Sequence, residues 1–169
     1  MTQQATDRIV QAVDLLAVQP GDHILEIGCG HGVAVSLVCE KLVNGTITAI
    51  DRSPKMIALA EKRNQLCMAA GKAVFRCLTL EAADFGEMRF DKIFAIRVNF
   101  FIQQPGVQLP ILRNLLKPQG ALYLFYDSPA AGQATRFVAG ATASLHAHGF
   151  KINQVHEVEW GVYLVVGIT

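Results

Sequence analysis

The chain has 169 residues, 51% hydrophobic and 17% charged, with 15 Lys and Arg against 14 Asp and Glu for a formal net charge of +1. That length suits one domain with a substantial core, and so apolar a composition suits a parallel sheet covered on both faces. A near-neutral balance without a basic run argues against a nucleic-acid partner, because duplex binders carry a basic face.

The first helix is expected over residues 6–18, where Ile9, Val13 and Leu16 recur at helical spacing and Pro20-Gly21 stops it. A strand over 23–28 follows, then a helix over 31–43 and a second strand over 46–51. Ser53-Pro54 reads as an N-cap with proline at the first helical position. It opens a helix whose Ile57, Leu59, Ala60 and Leu66 supply apolar contacts. Strand three is Ala73–Leu78, and Ile93–Ile96 is the centre of strand four. A helix carrying Ile111, Leu112, Leu115 and Leu116 ends before Pro118, and strand five runs from Ala121 to Tyr126. Residues 130–147 read as a helix with Phe137, Ala141 and Leu145 on one side. The last two strands, 150–158 and 162–168, are joined only by Glu159-Trp160-Gly161. So short a connection cannot make a parallel crossover, so they run antiparallel.

The segment Ile24-Leu25-Glu26-Ile27-Gly28-Cys29-Gly30-His31-Gly32 carries the functional signal. Strand, glycine turn and helix together let backbone N–H groups approach a ligand closely, since glycine has no Cβ in the way. Asp51 ends the next apolar run about twenty residues on, the spacing of a ribose-binding carboxylate. The two features indicate a nucleoside-containing cofactor. The dinucleotide fingerprint G-x-G-x-x-G would place its third glycine at position 33, which is Val33, and this disfavours an NAD enzyme.

The pattern Glu-x-Gly-x-Gly-x-Gly resembles motif I of class I S-adenosylmethionine-dependent methyltransferases. Leu15-Leu16 with Gln19-Pro20-Gly21-Asp22 resembles the helix and turn before that motif, and Asp51-Arg52-Ser53-Pro54-Lys55-Met56 resembles the second motif. Phe90-Asp91-Lys92-Ile93-Phe94-Ala95 is similar to the family's fourth strand, and Leu116-Lys117-Pro118-Gln119-Gly120-Ala121-Leu122 to the turn into the fifth. The resemblance spans roughly residues 9–127. It implies a doubly wound, Rossmann-like α/β fold: a mostly parallel seven-stranded sheet with one antiparallel strand near the C-terminus and helices on both faces. The expectation is one domain over residues 1–169 with a short N-terminal helix.

In open parallel sheets the ligand sits beyond the carboxyl ends of the strands. The backbone of Gly28, Cys29 and Gly30 is therefore expected to hold the methionine end of S-adenosylmethionine. Glu26 is assigned by the resemblance to its amino-acid moiety, reached through water, the alternative being a buried acid that caps the glycine turn. Asp51 is expected to accept hydrogen bonds from both ribose hydroxyls, with Arg52 beside it. Thr79-Leu80 stands where the family has an Asp-Ala pair near adenine. Leu80 is the candidate for packing on the ring, and Thr79 or Glu81 for receiving the exocyclic amine. Met56 covers the other adenine face or belongs to the core. Arg97, leaving strand four, is expected to contribute backbone.

His31, Asn99 and Tyr126 are the candidates for a catalytic role, with Asp127, Phe100 and Phe101 as further candidates for the acceptor site. The segment Arg97-Val98-Asn99-Phe100-Phe101 lacks the Asn-Pro-Pro-Tyr signature of adenine or glutamine nitrogen methylation. It also lacks the Pro-Cys pair of cytosine chemistry. The expected function is methyl transfer to a small-molecule nucleophile. The alternatives are a non-catalytic S-adenosylmethionine-binding partner subunit and an aminopropyltransferase on the same fold. A homo-oligomer is left open. Cys29, Cys39, Cys67 and Cys77 have neither C-x-x-C nor finger spacing and read as reduced thiols without a metal. No apolar run reaches membrane-spanning length, and Thr2–Arg8 lacks a signal-peptide core. A cytoplasmic location is therefore expected.

Overall fold

A computed structural model describes residues 3–98, 105–127, 133–158 and 161–168. The chain divides into two compact units, Met1–Asp84 and Phe85–Thr169.

The first unit contains α1 (Gln3–Leu15), β1 (His23–Ile27), α2 (Val33–Lys41), β2 (Thr46–Asp51), α3 (Pro54–Arg63), α4 (Gln65–Ala69) and β3 (Ala73–Cys77). A single 3-10 turn, Leu80–Ala82, follows. β1 pairs with β2 from His23↔Thr46 to Ile27↔Ile50, and β2 with β3 from Ile47↔Ala73 to Asp51↔Cys77, all parallel. β1 and β2 are buried almost throughout, as strands covered on both faces must be. α1 lies against α2 and buries Ala12 and Val13, and Leu16 just beyond its end is also buried. The expected cap at Ser53 is present: its Oγ accepts the Met56 N–H at 3.4 Å, with Pro54 at the first turn.

The expected continuous helix from Ser53 to Leu66 is broken at Asn64. Ile57 and Ala60 are buried, whereas Leu59 is half exposed and Leu66, on α4, is 87% exposed. The physical reason is that buried Asn64 closes the last turn of α3 through its own N–H, which donates to the Ala60 and Glu61 carbonyls, and leaves helical geometry there before α4 starts. Leu66 is therefore carried out of the apolar stripe.

The second unit contains β4 (Phe90–Ile96), α5 (Pro105–Leu115), β5 (Leu116–Asp127), α6 (Gln133–Ala147), β6 (Phe150–Val158) and β7 (Gly161–Ile168). β4 and β5 are parallel, and β7 is antiparallel to both β5 and β6, as the short last connection required. Phe85 and Phe90 meet edge to face with ring centroids 5.4 Å apart.

β5 starts earlier than expected, at Leu116 rather than Ala121, so Leu116 belongs to the strand and not to the preceding helix. Its register jumps from Phe90↔Leu116 to Lys92↔Ala121, which places an excursion containing Pro118 on the strand. Lys117 Nζ donates to Asp91 Oδ2 at 2.7 Å there, and a Cβ at Gly120 would lie 2.8 Å from the Phe90 carbonyl oxygen. Glycine is what fits so close to a neighbouring backbone. The strand order of the seven-stranded sheet is β3-β2-β1-β4-β5-β7-β6, with β7 the reversed strand.

Candidate functional site

The site in the first unit is built where β1 and β2 end. After Ile27 the chain turns sharply, and the N–H groups of Gly28 and Cys29 both donate to the Ile50 carbonyl, at 2.8 and 3.1 Å. Gly30 N–H then donates to Asp51 Oδ2 at 2.9 Å, and Ser53 N–H donates to Asp51 Oδ1 at 2.9 Å. One carboxylate thus ties the glycine turn to the entrance of α3. Each carboxylate oxygen has two acceptor sites, so a second lone pair on each remains for another donor. Leu78 N–H donates to the Asp51 carbonyl at 3.1 Å and brings the end of β3 to the same place.

Gly30 and Gly32 have different tasks in this turn. Gly30 has φ +52°, and a Cβ built on it meets nothing within 4 Å. Its glycine is required by conformation, and the space beside it is open. Gly32 has φ +69°, and a Cβ there would come within 2.6 Å of Asn64 Nδ2 and 2.9 Å of Ala60 Cβ. It lets α2 start hard against the end of α3. Asn64, 2% exposed, makes that junction polar: its Nδ2 donates to the carbonyls of Gly32 and Ala60, and its Oδ1 accepts from Ser36 Oγ at 2.7 Å. Sequence reasoning missed this residue. The available signal was an Asn following the basic last turn Lys62-Arg63, a C-cap pattern.

Glu26, 3% exposed, lies inside β1 opposite Ala49. Its Oε2 has no hydrogen-bond partner among the described residues. Burial, with the nearby negative charge of Asp51 adding to it, pushes the Glu26 carboxyl up to about 8. A buried acid that merely capped the turn would spend its oxygens on turn N–H groups, but those go to Ile50 and Asp51 instead. The orphaned oxygen therefore fits a ligand that brings its own donor. Cys29 is buried, and burial followed by the charges of Glu26 and Asp51 raises its thiol well above the usual range. That setting does not activate a thiol as a nucleophile.

The other candidate site residues of the first unit are placed as follows. Arg52 is exposed, and its carbonyl accepts a weak contact from Cys77 Sγ at 3.9 Å. Met56 is half-buried in the first turn of α3. Thr79 is exposed and precedes the 3-10 turn, while Leu80 is buried and Glu81 exposed. His31 is exposed, and its backbone carbonyl accepts from Arg63 Nε at 3.1 Å.

In the second unit, Arg97 follows β4 with φ +60°, exposed, and its N–H donates to the Phe125 carbonyl at 2.9 Å. A left-handed arginine at a strand end is an uncommon conformation that its neighbours must hold. Tyr126 is half-buried on β5, opposite Val162 of β7. Asp127 ends β5 opposite Gly161. Asn99, Phe100 and Phe101 lie outside the described residues. Among the described residues no cluster of His, Cys, Asp and Glu could hold a metal ion, and no helix is long and apolar enough to cross a membrane.

Comparison with known proteins agrees with this geometry. A family model described as a methyltransferase domain matches residues 24–120, from β1 through the excursion at the start of β5. The chain is 34% identical over 121 residues to a trans-aconitate 2-methyltransferase of Escherichia coli O157:H7, covering 70% of this chain and 45% of that protein. It is 32% identical over 99 residues to a malonyl-[acyl-carrier protein] O-methyltransferase of Priestia megaterium, covering 59% of this chain and 34% of that protein. The chain thus spans less than half the length of either relative. In fold it is similar to a SAM-dependent methyltransferase of Aquifex aeolicus, with a TM-score of 0.79 at 17% identity over 95% of this chain and 89% of that one.

Proposed function

The chain belongs to the class I S-adenosylmethionine-dependent methyltransferase family, and from that premise we propose that it transfers a methyl group from S-adenosylmethionine to a small-molecule nucleophile. The observation that carries the cofactor reading is the buried, unpartnered oxygen of Glu26 beside a glycine turn that is open at Gly30.

The residues fit the cofactor part by part. Glu26 Oε2 takes the α-ammonium, satisfying the orphaned oxygen and the ligand's charge together. The backbone of Gly28, Cys29 and Gly30 borders the methionine end. Asp51 offers one remaining lone pair on each oxygen, a match for the two ribose hydroxyls. Arg52 follows it beside the ribose. Met56 and Leu80 supply apolar surface for adenine, and Thr79 or Glu81 an acceptor for its amine.

When bound, S-adenosylmethionine supplies a methyl group on a positively charged sulfur, already activated for displacement. The protein's task is then to hold the acceptor in line and to exclude water. His31, Asn99 and Tyr126 are the proposed catalytic residues, and Arg97 is the proposed backbone contact to the cofactor. An acceptor that is already anionic, such as a carboxylate, needs no base. Trans-aconitate and malonyl-[acyl-carrier protein], in the names of two relatives, are acceptors of that class.

The test pairs calorimetry with turnover. S-adenosylhomocysteine is expected to bind and NAD to bind far more weakly. Incubation with methyl-labelled S-adenosylmethionine and a panel of small carboxylic acids is expected to give labelled esters. Binding with no turnover across acids, alcohols, amines and thiols indicates the partner-subunit alternative, and turnover only with the decarboxylated cofactor and an amine indicates aminopropyl transfer. Tight NAD binding without a response to S-adenosylhomocysteine overturns the cofactor assignment.

A further inference from the structure

Glu26 is unusual among the charged residues of the first unit in how little compensates it. It is almost completely buried, and one of its oxygens has no hydrogen-bond partner among the described residues. The groups around it do not help it to ionise. Asp51, at the end of the neighbouring strand β2, is a like charge. Asp51 itself accepts two backbone N–H bonds, from Gly30 and Ser53, of the kind that Glu26 Oε2 lacks. Cys29, in the turn, is a neutral thiol whose own ionisation Glu26 and Asp51 oppose, so it brings no positive charge to the site. Ala49, opposite Glu26 on β2, is apolar. A buried carboxylate beside another carboxylate, without a cation or a full set of donors, keeps its proton.

Building on the cofactor reading above, we infer that binding of the aminoacyl end of the cofactor is coupled to loss of one proton from the Glu26 site, so that the protein binds its cofactor more tightly as pH rises through the neutral range. The balance is simple. A neutral carboxylic acid and a ligand ammonium enter, and a carboxylate–ammonium pair with one proton fewer leaves that proton in solvent. The count is the same whichever partner holds the shared proton in the complex, because the pair titrates as a unit. The ammonium brings both the positive charge and the donor that Oε2 is missing. Free enzyme and complex therefore differ in protonation at a site where no proton is transferred in the reaction.

Calorimetry of S-adenosylhomocysteine binding to the intact protein at pH 6.5, in buffers of different ionisation enthalpy, measures the proton count directly. The expected release is close to one proton, and the dissociation constant should fall about tenfold per pH unit between pH 5.5 and 7. The control leaves the protein unchanged. The deaminated analogue of S-adenosylhomocysteine, which lacks the α-amino group, should bind with no proton release and with pH-independent affinity. Glu26→Gln should bind S-adenosylhomocysteine without proton release. Binding of S-adenosylhomocysteine to the parent protein with no proton released overturns the coupling while leaving the cofactor reading intact. Equal release with the deaminated analogue also overturns it, by moving the proton elsewhere. Failure of S-adenosylhomocysteine to bind at any pH overturns the cofactor reading, and this inference with it.

Discussion

Replacing Asp51 by alanine tests the centre of the site, and the structure divides the effect into two parts. The first part is internal. Both carboxylate oxygens accept backbone N–H groups at 2.9 Å, from Gly30 and Ser53, and the variant leaves both donors without that partner. A hydrogen bond to a charged group contributes about 1.5–3 kcal/mol when fully buried. Asp51 is only half-buried, so water reaches the freed donors, and about 2 kcal/mol in total is the reasonable sum. For a chain of this length that corresponds to a fall in Tm of roughly 4–8 °C. The second part is the ligand. Loss of the ribose contact should weaken S-adenosylhomocysteine binding at least about tenfold, or 1.4 kcal/mol. A looser glycine turn would weaken binding too, so affinity alone does not separate the two parts. A cycle that pairs the variant with the 2′,3′-dideoxy form of the ligand does. If Asp51 touches the hydroxyls, removing them costs the parent protein much more than it costs Asp51→Ala. Equal costs in both proteins would refute the ribose contact and leave Asp51 as a clasp on the turn.

Three further outcomes are expected. Gly30→Val places a side chain in open space but at φ +52°; the strain of roughly 1–2 kcal/mol should lower Tm by several degrees and leave a folded protein whose S-adenosylhomocysteine binding, by calorimetry, is lost. Gly32→Ala forces a Cβ to within 2.6 Å of Asn64 Nδ2 and 2.9 Å of Ala60; denaturant unfolding should show a larger stability loss than for Gly30→Ala, and the reverse order would contradict the packing role. For Glu26 the folded carboxyl ionises near 8 against an ordinary value of 4.5. The unfolded chain therefore releases its proton first as pH rises, and the free protein loses stability between about pH 4.5 and 8. Against Glu26→Gln the difference should widen by up to roughly 1.4 kcal/mol per pH unit, and parallel melting curves across that window would show that Glu26 is not held protonated.

The order of elements was readable because it follows from local rules. Pro20-Gly21 ends one element, Ser53-Pro54 starts another, and the connection from 159 to 161 admits only an antiparallel pair. The strand-end residues were readable for the same reason, since Gly30 and Asp51 occupy positions set by chain geometry. What escaped depends on contacts distant in sequence. Asn64 after Lys62-Arg63 carried a local C-cap signal for the end of α3, but nothing local reveals that it meets Gly32 and Ser36 or that Leu66 is exposed beyond it. Pro118 looked like a boundary, yet the excursion held by Lys117, Asp91 and Gly120 absorbs it within a strand pairing. Burial of Cys29 and the isolation of Glu26 Oε2 are likewise tertiary facts, invisible in a motif that only names the residues.

The glycine turn is held from two sides, and this bears on how tightly it can bind. Asp51 fixes Gly30 from β2, while Asn64 fixes Gly32 from the end of α3 and shares Ser36 with the first turn of α2. A turn containing three glycines is costly to order, because glycine has the most backbone freedom to lose. Here that cost is met during folding, by hydrogen bonds that need no ligand. The N–H groups of Gly28, Cys29 and Gly30 are already committed to Ile50 and Asp51. The turn is therefore less a set of free donors awaiting an anion than a rigid, close-approaching wall. On the proposed reading, recognition falls to the acids at the ends of the two strands, Glu26 in β1 and Asp51 at the end of β2. Such a site suits a ligand rich in donors, and an ammonium at one end with two hydroxyls further along meets that description better than a pyrophosphate, which would need the N–H groups that the fold has already used.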